Sequence, residues 1–511
     1  MTGTTISKSD YLKYRDCPSS FWFHIHAPHL LAPEKSDPYV DRLKSQGYLV
    51  ERCARKLFPE ATLVQGKPAE AATLTQQLLA EGGTQLLQAS FRVDGPSEEH
   101  SLFASCDILV YNALLDAWDI IEVKSSTAKT KKEEKHLLDA AFQRMVVQKA
   151  GLRVANVYLM ELDRDYLKQG DIDVEALFVS SEITTECIDL ETQVLLELYE
   201  ASQLLTQPQP TECSCRYKGR SRHCQAFSHI YPEVPAYSVY DLRAIGRSKR
   251  TLKTLVDGGH LRLDEIPSEV RLNDKHAKQV RVAVTQEALL DRAAIGRQLE
   301  DLEFPLYFLD YETLACGVPV YDLTYPHQQT VFQYSLHIMH ADGQIEHREY
   351  IHPDTSTPVH VIASKLREDI GDKGQVIVWN RGFEGKCNVD LANLNPENAA
   401  FLNGLNERTF DLMKIFERME CLHDGFQGRY SIKKVLPVLC PELDYNQLEV
   451  SNGTQAVVTY EALIFGEVDA SVREQMLQDL LAYCKLDTWA MVRIYQELVG
   501  MVETPVLLQP V

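Results

Sequence analysis

The stretch 104–125 constrains this chain more than any other: two runs of strand-forming residues, 104–112 and 118–125, are separated only by "ALLDA". Runs of that kind with so short a connection form an antiparallel hairpin. Side chains alternate between the faces of a strand, so in "WDIIEVKSS" Glu122 and Lys124 share one face while Ile121 and Val123 share the other. Asp107 on the first strand then sits across from them, with Ile108 and Val110 turned to the core.

Two carboxylates and a lysine at one place outline a site. Asp107 and Glu122 offer oxygen ligands to a divalent ion, which lowers the pKa of bound water and stabilises a pentacoordinate phosphorus. Lys124 orients the water or neutralises developing charge. That chemistry is phosphodiester hydrolysis, although Asp-x14-Glu-x-Lys on its own also fits charges scattered along a solvated sheet edge. The surroundings favour the site. "HLLDAAFQRMVVQKAG" predicts a helix with an apolar stripe of Leu138, Phe142, Met145 and Val146, and with Asp139 and Gln143 four apart on a different face. After Gly151, "RVANVYLMEL" predicts a buried strand. An earlier helix, around "SQGYLVERCARKLF", offers Glu51 as a further carboxylate.

A chain of 511 residues exceeds one compact core, so two or three domains are expected. Proline punctuation in "IYPEVPAYSVYDL" and a restart at "LEFPLYFLDYET" divide it into 1–231, 232–300 and 301–511. The middle part reads as a helical linker of two short helices joined by a glycine turn. A net charge of -21 argues against coating nucleic acid by bulk attraction, yet basic residues cluster locally at Lys129–Lys135, Arg216–Arg222 and Arg243–Lys253. The amino terminus lacks the apolar core of a signal peptide, and no run approaches the ~20 apolar residues that span a bilayer. A cytoplasmic location with no membrane partner is the expectation.

Twelve cysteines in such a compartment are not a disulfide framework. Most stand singly, as Cys106, Cys387, Cys421 and Cys440 do, but Cys17 and the group Cys213, Cys215 and Cys224 flank the hairpin-bearing segment at its two ends. Four thiolates suit an iron-sulfur cluster or a structural zinc, and spacing does not choose between them.

In the last third, "FPLYFLDYET" predicts a strand with Leu306, Phe308, Asp310 and Glu312 on one face. Acids at the end of an apolar strand are costly to bury unless a cation compensates, and a metal ion is the usual one. "VFQYSLHIMH" and "IEHREYIHP" supply antiparallel partners, and "QVIVWN" is a further strand leading to Glu384 at a helix start. The final helix places Tyr483 and Asp487 on one face, four residues apart. Asp310, Glu312, Glu384 and Asp487 together suit two divalent ions about 4 Å apart, with Tyr483 orienting the attacking water. Asp411, in "TFDLMKIF", is an additional carboxylate or a helix cap.

These motifs carry resemblances. Asp107, Glu122, Lys124 and Gln143 resemble the active-site series of the RecB-like branch of the PD-(D/E)XK nucleases, including its CRISPR-associated members, with Glu51 at the position where that family often has a preceding helical histidine or glutamate. The tyrosine that frequently follows the glutamine is replaced by Val147. One cysteine far upstream and three close together downstream are similar to that family's clamp, which implies a [4Fe-4S] cluster rather than zinc; the Cys213-x-Cys215 pair is tighter than the common Cys-x2-Cys. Asp310 and Glu312, Asn380 to Glu384, and Tyr483 to Asp487 resemble the three motifs of DEDD exonucleases with an RNase H-like fold, except that Glu384 stands where aspartate is usual. The whole chain resembles a group of uncharacterised bacterial proteins that join the two.

The resemblance implies an α/β protein: a mixed-sheet restriction-endonuclease-like domain, a small helical linker region and an RNase H-like domain. It implies a magnesium- or manganese-dependent nuclease acting on DNA, with single-stranded ends as substrate. A nucleic-acid-binding or assembly protein with decayed sites, or an exonuclease directed at RNA, are the competing expectations. Aromatic and basic residues at Tyr217–Arg222 and Lys129–Lys135 would guide the strand.

Overall fold

The computed structural model describes residues 4–31, 38–97 and 99–503. The chain is α/β and divides into two compact units. The first runs to Arg216 and includes Arg222–Glu233 and Cys316–His327; the second holds Tyr217–Ser221, Val234–Ala315 and the chain from Gln328 onward. Residues 234–300 thus belong to the second unit.

The sheet of the first unit is built from β1 (Thr4–Ser7), β2 (Thr62–Leu63), β3 (Gln85–Asp94), β4 (His100–Asn112), β5 (Ala117–Thr127), β6 (Val154–Leu162) and β7 (Phe178–Glu182). Its order is β2-β3-β4-β5-β6-β7, with β1 added parallel to the start of β4. The expected hairpin is present: β4 and β5 pair antiparallel, Ile108 opposite Ile121. Its turn is shaped by Asn112, whose Oδ1 accepts from the amides of Leu114 and Leu115 at 3.2 and 3.3 Å, and by Asp116 in the left-handed region at φ 49°. Asparagine and aspartate tolerate that geometry because their short side chains bond to nearby backbone.

β6 lies parallel to β5, so the connection between them must cross a sheet face, and helix Glu134–Lys149 does so. Leu138, Ala141, Phe142 and Val146 of that helix are fully buried against the sheet. Tyr11 stacks on Phe142 with ring centres 5.7 Å apart, seating helix Lys8–Asp16 on the same layer.

In the second unit, β8 (Leu289–Leu290) pairs with β14 (Cys421–Leu422), while β9 (Leu306–Leu314), β10 (Thr330–Met339), β11 (Ile345–Ile351), β12 (Gln375–Val378) and β13 (Thr409–Asp411) form a five-stranded sheet ordered β11-β10-β9-β12-β13. β9 is antiparallel to β10 and parallel to β12, which is parallel to β13. Tyr307, Leu309 and Tyr311 pack on helices Val359–Asp369 and Arg381–Leu394. The alternate residues of β9 face helix Ala470–Glu503, where Phe308 meets Tyr495 at 5.8 Å between ring centres. Polar pins hold that helix: Gln333 Nε2 donates to Leu480 O at 2.8 Å, and Ser335 and Thr488 share a hydroxyl bond of 2.8 Å.

The middle segment differs from its expected pair of short helices. Val239–Asp241, Ile245–Arg247 and Leu263–Glu265 are single 3-10 turns, and the α-helices are Lys249–Asp257, Asp274–Thr285 and Arg292–Glu300. Ala244 between the first two turns adopts φ 56°, a left-handed conformation that an L-residue helix does not propagate. Among the described residues no helix is long and apolar enough to cross a membrane.

Candidate active sites and metal centres

In the first unit the hairpin brings its charges together through buried hydrogen bonds. Glu122 is 1% exposed, and its Oε1 accepts from Lys124 Nζ at 2.6 Å and from Lys8 Nζ at 2.9 Å. Its Oε2 accepts from Gln143 Nε2 at 2.7 Å. Lys124 also donates to Asp139 Oδ2 at 2.6 Å, so the carboxylate four residues before Gln143 completes the ring. Asp107 accepts from the backbone amide of Val123 at 2.8 Å and from Gln88 Nε2 at 3.1 Å. Gln88 also donates to Glu51, which is paired with Arg55 one helical turn on.

The electrostatics follow from burial and pairing. Burial alone would raise the Glu122 carboxyl, but Lys124 and Lys8 outweigh it and hold the group ionised. Burial and the neighbouring Glu122 push Asp107 up to about 7. Desolvation opposes the charge on both lysines, and Glu122 and Asp139 more than restore it.

Asp107, Glu122, Lys124, Gln143 and, through Gln88, Glu51 therefore form one connected group. Lys8, Gln88 and Asp139 extend it. Asp139 was legible from its spacing to Gln143, whereas Lys8 lies 114 residues from Glu122 and has no local signal. Gln88 has one in the structure alone: it sits at φ 57° between Leu87 and Ala89, which pair with Ile108 and Cys106 on either side of Asp107. A non-glycine residue held there is strained backbone of the kind that clusters at functional sites. Of the basic run after β5, Lys129 pairs with Glu133 and Lys132 with buried Glu161, at 2.7 and 2.6 Å.

The four cysteines Cys17, Cys213, Cys215 and Cys224 meet, each with its sulfur within 4.8 Å of the others. Cys17 links helices Lys8–Asp16 and Pro18–His26, and the second of these is strapped to the later segment by Trp22 Nε1 on Gln207 O at 3.1 Å and Ser19 Oγ on Glu212 O at 2.6 Å. Hydrogen bonds from Cys213 and Cys224 pull the Cys17 thiol down, which favours thiolate character within the group. A thiolate is the ligand form, and the group is able to hold a metal.

In the second unit Asp310, Glu312 and Cys484 offer ligand atoms within 4.8 Å of one another. Cys484 Sγ donates to Asp310 Oδ2 at 3.7 Å, and Tyr445 Oη to Asp487 Oδ1 at 2.5 Å. Burial, then Asp487, Glu312 and Glu384, drive Asp310 well above the carboxylate range; burial and Asp487 do the same to Glu312. Burial pushes Asp487 up to about 6 and Glu384 up to about 8. Glu384 Oε2 and Asp411 Oδ1 are buried without a hydrogen-bond partner, which suits a carboxylate set waiting for cationic compensation. Asp411 does not cap the helix that follows it, whose N-cap is Leu412; its Oδ2 accepts instead from the Arg381 amide at 3.3 Å, at the start of helix Arg381–Leu394.

Tyr483 is buried beside Asp487. Sequence reasoning missed Lys433, which lies over the rings of Tyr445 and Tyr483 at 5.0 and 5.1 Å and carries a cationic charge that Asp487, Glu312 and Asp310 attract. It also missed Tyr445 and Cys484; neither falls in a motif of its own.

A family model described as "Domain of unknown function (DUF2779)" matches residues 307–431. That stretch contains Asp310, Glu312, Glu384 and Asp411 and ends before Tyr483 and Asp487. Two curated relatives are similar over part of the chain. "Uncharacterized protein UU173" of Ureaplasma parvum is 26% identical over 219 residues, covering 37% of this chain and 30% of its own length. "Uncharacterized protein MG366 homolog" of Mycoplasma pneumoniae is 27% identical over 228 residues, covering 39% of this chain and 34% of its own. The chain spans about a third of the length of these relatives. A solved structure described as "Crystal structure of SSO0001" aligns at 13% identity with 46% of this chain and 86% of its own, with a TM-score of 0.19.

Proposed function

We propose that this chain is a metal-dependent nuclease that hydrolyses phosphodiester bonds of DNA, acting on single-stranded ends. The observation that carries the reading is the buried group in which Glu122 is bonded to Lys124 and Gln143 while Asp107 is fixed to the same strand at Val123. It is the arrangement expected of a RecB-like PD-(D/E)XK site, and the carboxylates around Asp310 are those expected of a DEDD exonuclease on an RNase H-like fold.

Asp107 and Glu122 in the first unit, and Asp310, Glu312, Glu384 and Asp487 in the second, would hold magnesium or manganese. The ion when bound supplies an acidified water and charge neutralisation at phosphorus. Lys124, fixed by two carboxylates, holds a proton donor beside that position; Tyr483 is placed to orient a water at the second. For the four cysteines a [4Fe-4S] cluster is the favoured occupant and zinc the alternative, with a role in tying the ends of the first unit together. The cytoplasm is the expected compartment.

One observation favours a second reading, a nucleic-acid-binding protein whose first site has decayed: Glu122 is neutralised by two lysines rather than left open. Incubating labelled single- and double-stranded DNA and RNA with magnesium or manganese separates the readings, using wild type, Lys124→Ala, Asp310→Ala and the double variant. Loss of cleavage in one single variant identifies the active unit. Wild type that binds but cleaves none of these substrates sinks the enzyme reading.

A further inference from the structure

The candidate site of the first unit contains two lysines where sequence motifs mark one, and the two are not equivalent. Lys124 stands on β5 two residues from Glu122, with its side chain 19% exposed and bonded to Glu122 and Asp139. Its ammonium group is pinned by a 2.6 Å contact to each of the two carboxylates. Lys8 opens helix Lys8–Asp16 and reaches Glu122 Oε1 at 2.9 Å and Asp139 Oδ1 at 3.4 Å, with its side chain 26% exposed. Its ammonium group sits on a flexible four-carbon stem and can swing toward solvent.

The backbone beneath Lys8 is held firmly. Ser7 N donates to Asp10 Oδ2 at 3.0 Å and Asp10 N donates to Ser7 Oγ at 3.2 Å, a reciprocal cap at the start of the helix. Cys17 ends the same helix, so the four-cysteine group fixes its far end. A movable charge on a fixed base is a device for exchanging partners.

Two ammonium groups on one carboxylate oxygen oppose a divalent cation at that oxygen. Resting on the nuclease reading above, we infer that Lys8 competes with the divalent ion for Glu122 and Asp139 and, once displaced, contacts a backbone phosphate of the nucleic acid. Lys8 is then both a brake on metal binding and a substrate-binding residue. A lysine serving only to neutralise buried acids would, when replaced, change metal affinity but leave DNA affinity and its salt slope unmoved.

The test uses the whole 511-residue chain, purified anaerobically so that any metal on the cysteines is retained, in an Asp310→Asn background that weakens the carboxylate site of the second unit. Manganese binding is followed by electron paramagnetic resonance, and single-stranded DNA binding by fluorescence anisotropy in calcium across a salt series. Lys8→Met should raise manganese affinity by about tenfold through loss of one opposing charge. It should also weaken DNA binding several-fold and lower the salt slope by about 0.7, the value for one phosphate contact on a single strand. Lys8→Arg should keep DNA binding near the parent. Lys8→Gln is measured alongside, and circular dichroism verifies folding of each variant.

If either the manganese or the DNA affinity of folded Lys8→Met or Lys8→Gln equals the parent's, the inference is overturned. Glu122→Gln distinguishes the two levels. If it too leaves manganese binding unchanged, the nuclease reading of this site falls together with the role of Lys8; if it removes the ion while the Lys8 variants do nothing, only the role of Lys8 falls.

Discussion

Lys8 and Lys124 donate to the same oxygen of Glu122, at 2.9 and 2.6 Å, although one begins the first helix and the other lies on the fifth strand. A carboxylate that serves two partly buried ammonium groups is expensive to remove, because both charges are left to share Asp139 alone. Glu122→Ala should therefore destabilise the first unit by about 3 kcal/mol, the lower end for breaking buried ion pairs, since both lysines retain some solvent contact. Urea unfolding followed by tryptophan fluorescence measures it, and an unchanged midpoint would show that the network contributes nothing to stability.

Cys17 joins two helices and brings its sulfur to three cysteines some two hundred residues away in sequence. Metal binding by such a group contributes folding free energy. Anaerobically purified protein should be brown, with absorption in the visible blue, and Cys17→Ser should lose the colour and become protease-sensitive in the first unit. Colourless protein carrying stoichiometric zinc would replace the cluster with zinc; protein with neither metal would remove both.

The carboxylates of the second unit make a pH prediction. Burial holds Asp487 up to about 6 and Glu384 up to about 8, against ordinary values of 3.8 and 4.5. The folded protein keeps protons that the unfolded chain has released, so without divalent ions stability falls as pH rises from about 4 to about 8, by about 1.4 kcal/mol per pH unit for each proton. Under the proposed function, magnesium or manganese would take the place of those protons. The thermal stabilisation it confers should be larger near pH 8 than near pH 6, and an increment independent of pH would argue against carboxylate ligation.

Val147, which under the proposed nuclease reading stands where a tyrosine is frequent, is fully buried in the core of the first unit. Placing tyrosine there should not create a function. Val147→Tyr overfills a packed site and should cost about 1–3 kcal/mol, read as a lowered melting temperature. A gain in cleavage without loss of stability would show that the side chain finds a path to the acid-lysine group after all.

Much of this protein was legible from residue order. The hairpin 104–125 declared itself through alternation and a short turn, and Glu122, Lys124 and Asp107 followed from the two-residue period of a strand. Gln143 and Asp139 followed from helical spacing, as did Tyr483 and Asp487, because residues four apart on a helix are neighbours by local geometry alone. The strands bearing Asp310 and preceding Glu384 were likewise visible as apolar runs with acids at or beyond their ends. Only the tertiary structure decided what those groups touch. Lys8 meets Glu122 across 114 residues, Gln88 turns to Asp107 from a left-handed backbone position, Lys433 lies over Tyr445 and Tyr483, and Cys316–His327, which follows β9 in sequence, belongs to the first unit. Periodicity reports which face a side chain takes within its own element. Which distant charge comes to neutralise it is settled by how strands register and helices pack, interactions that no local pattern encodes.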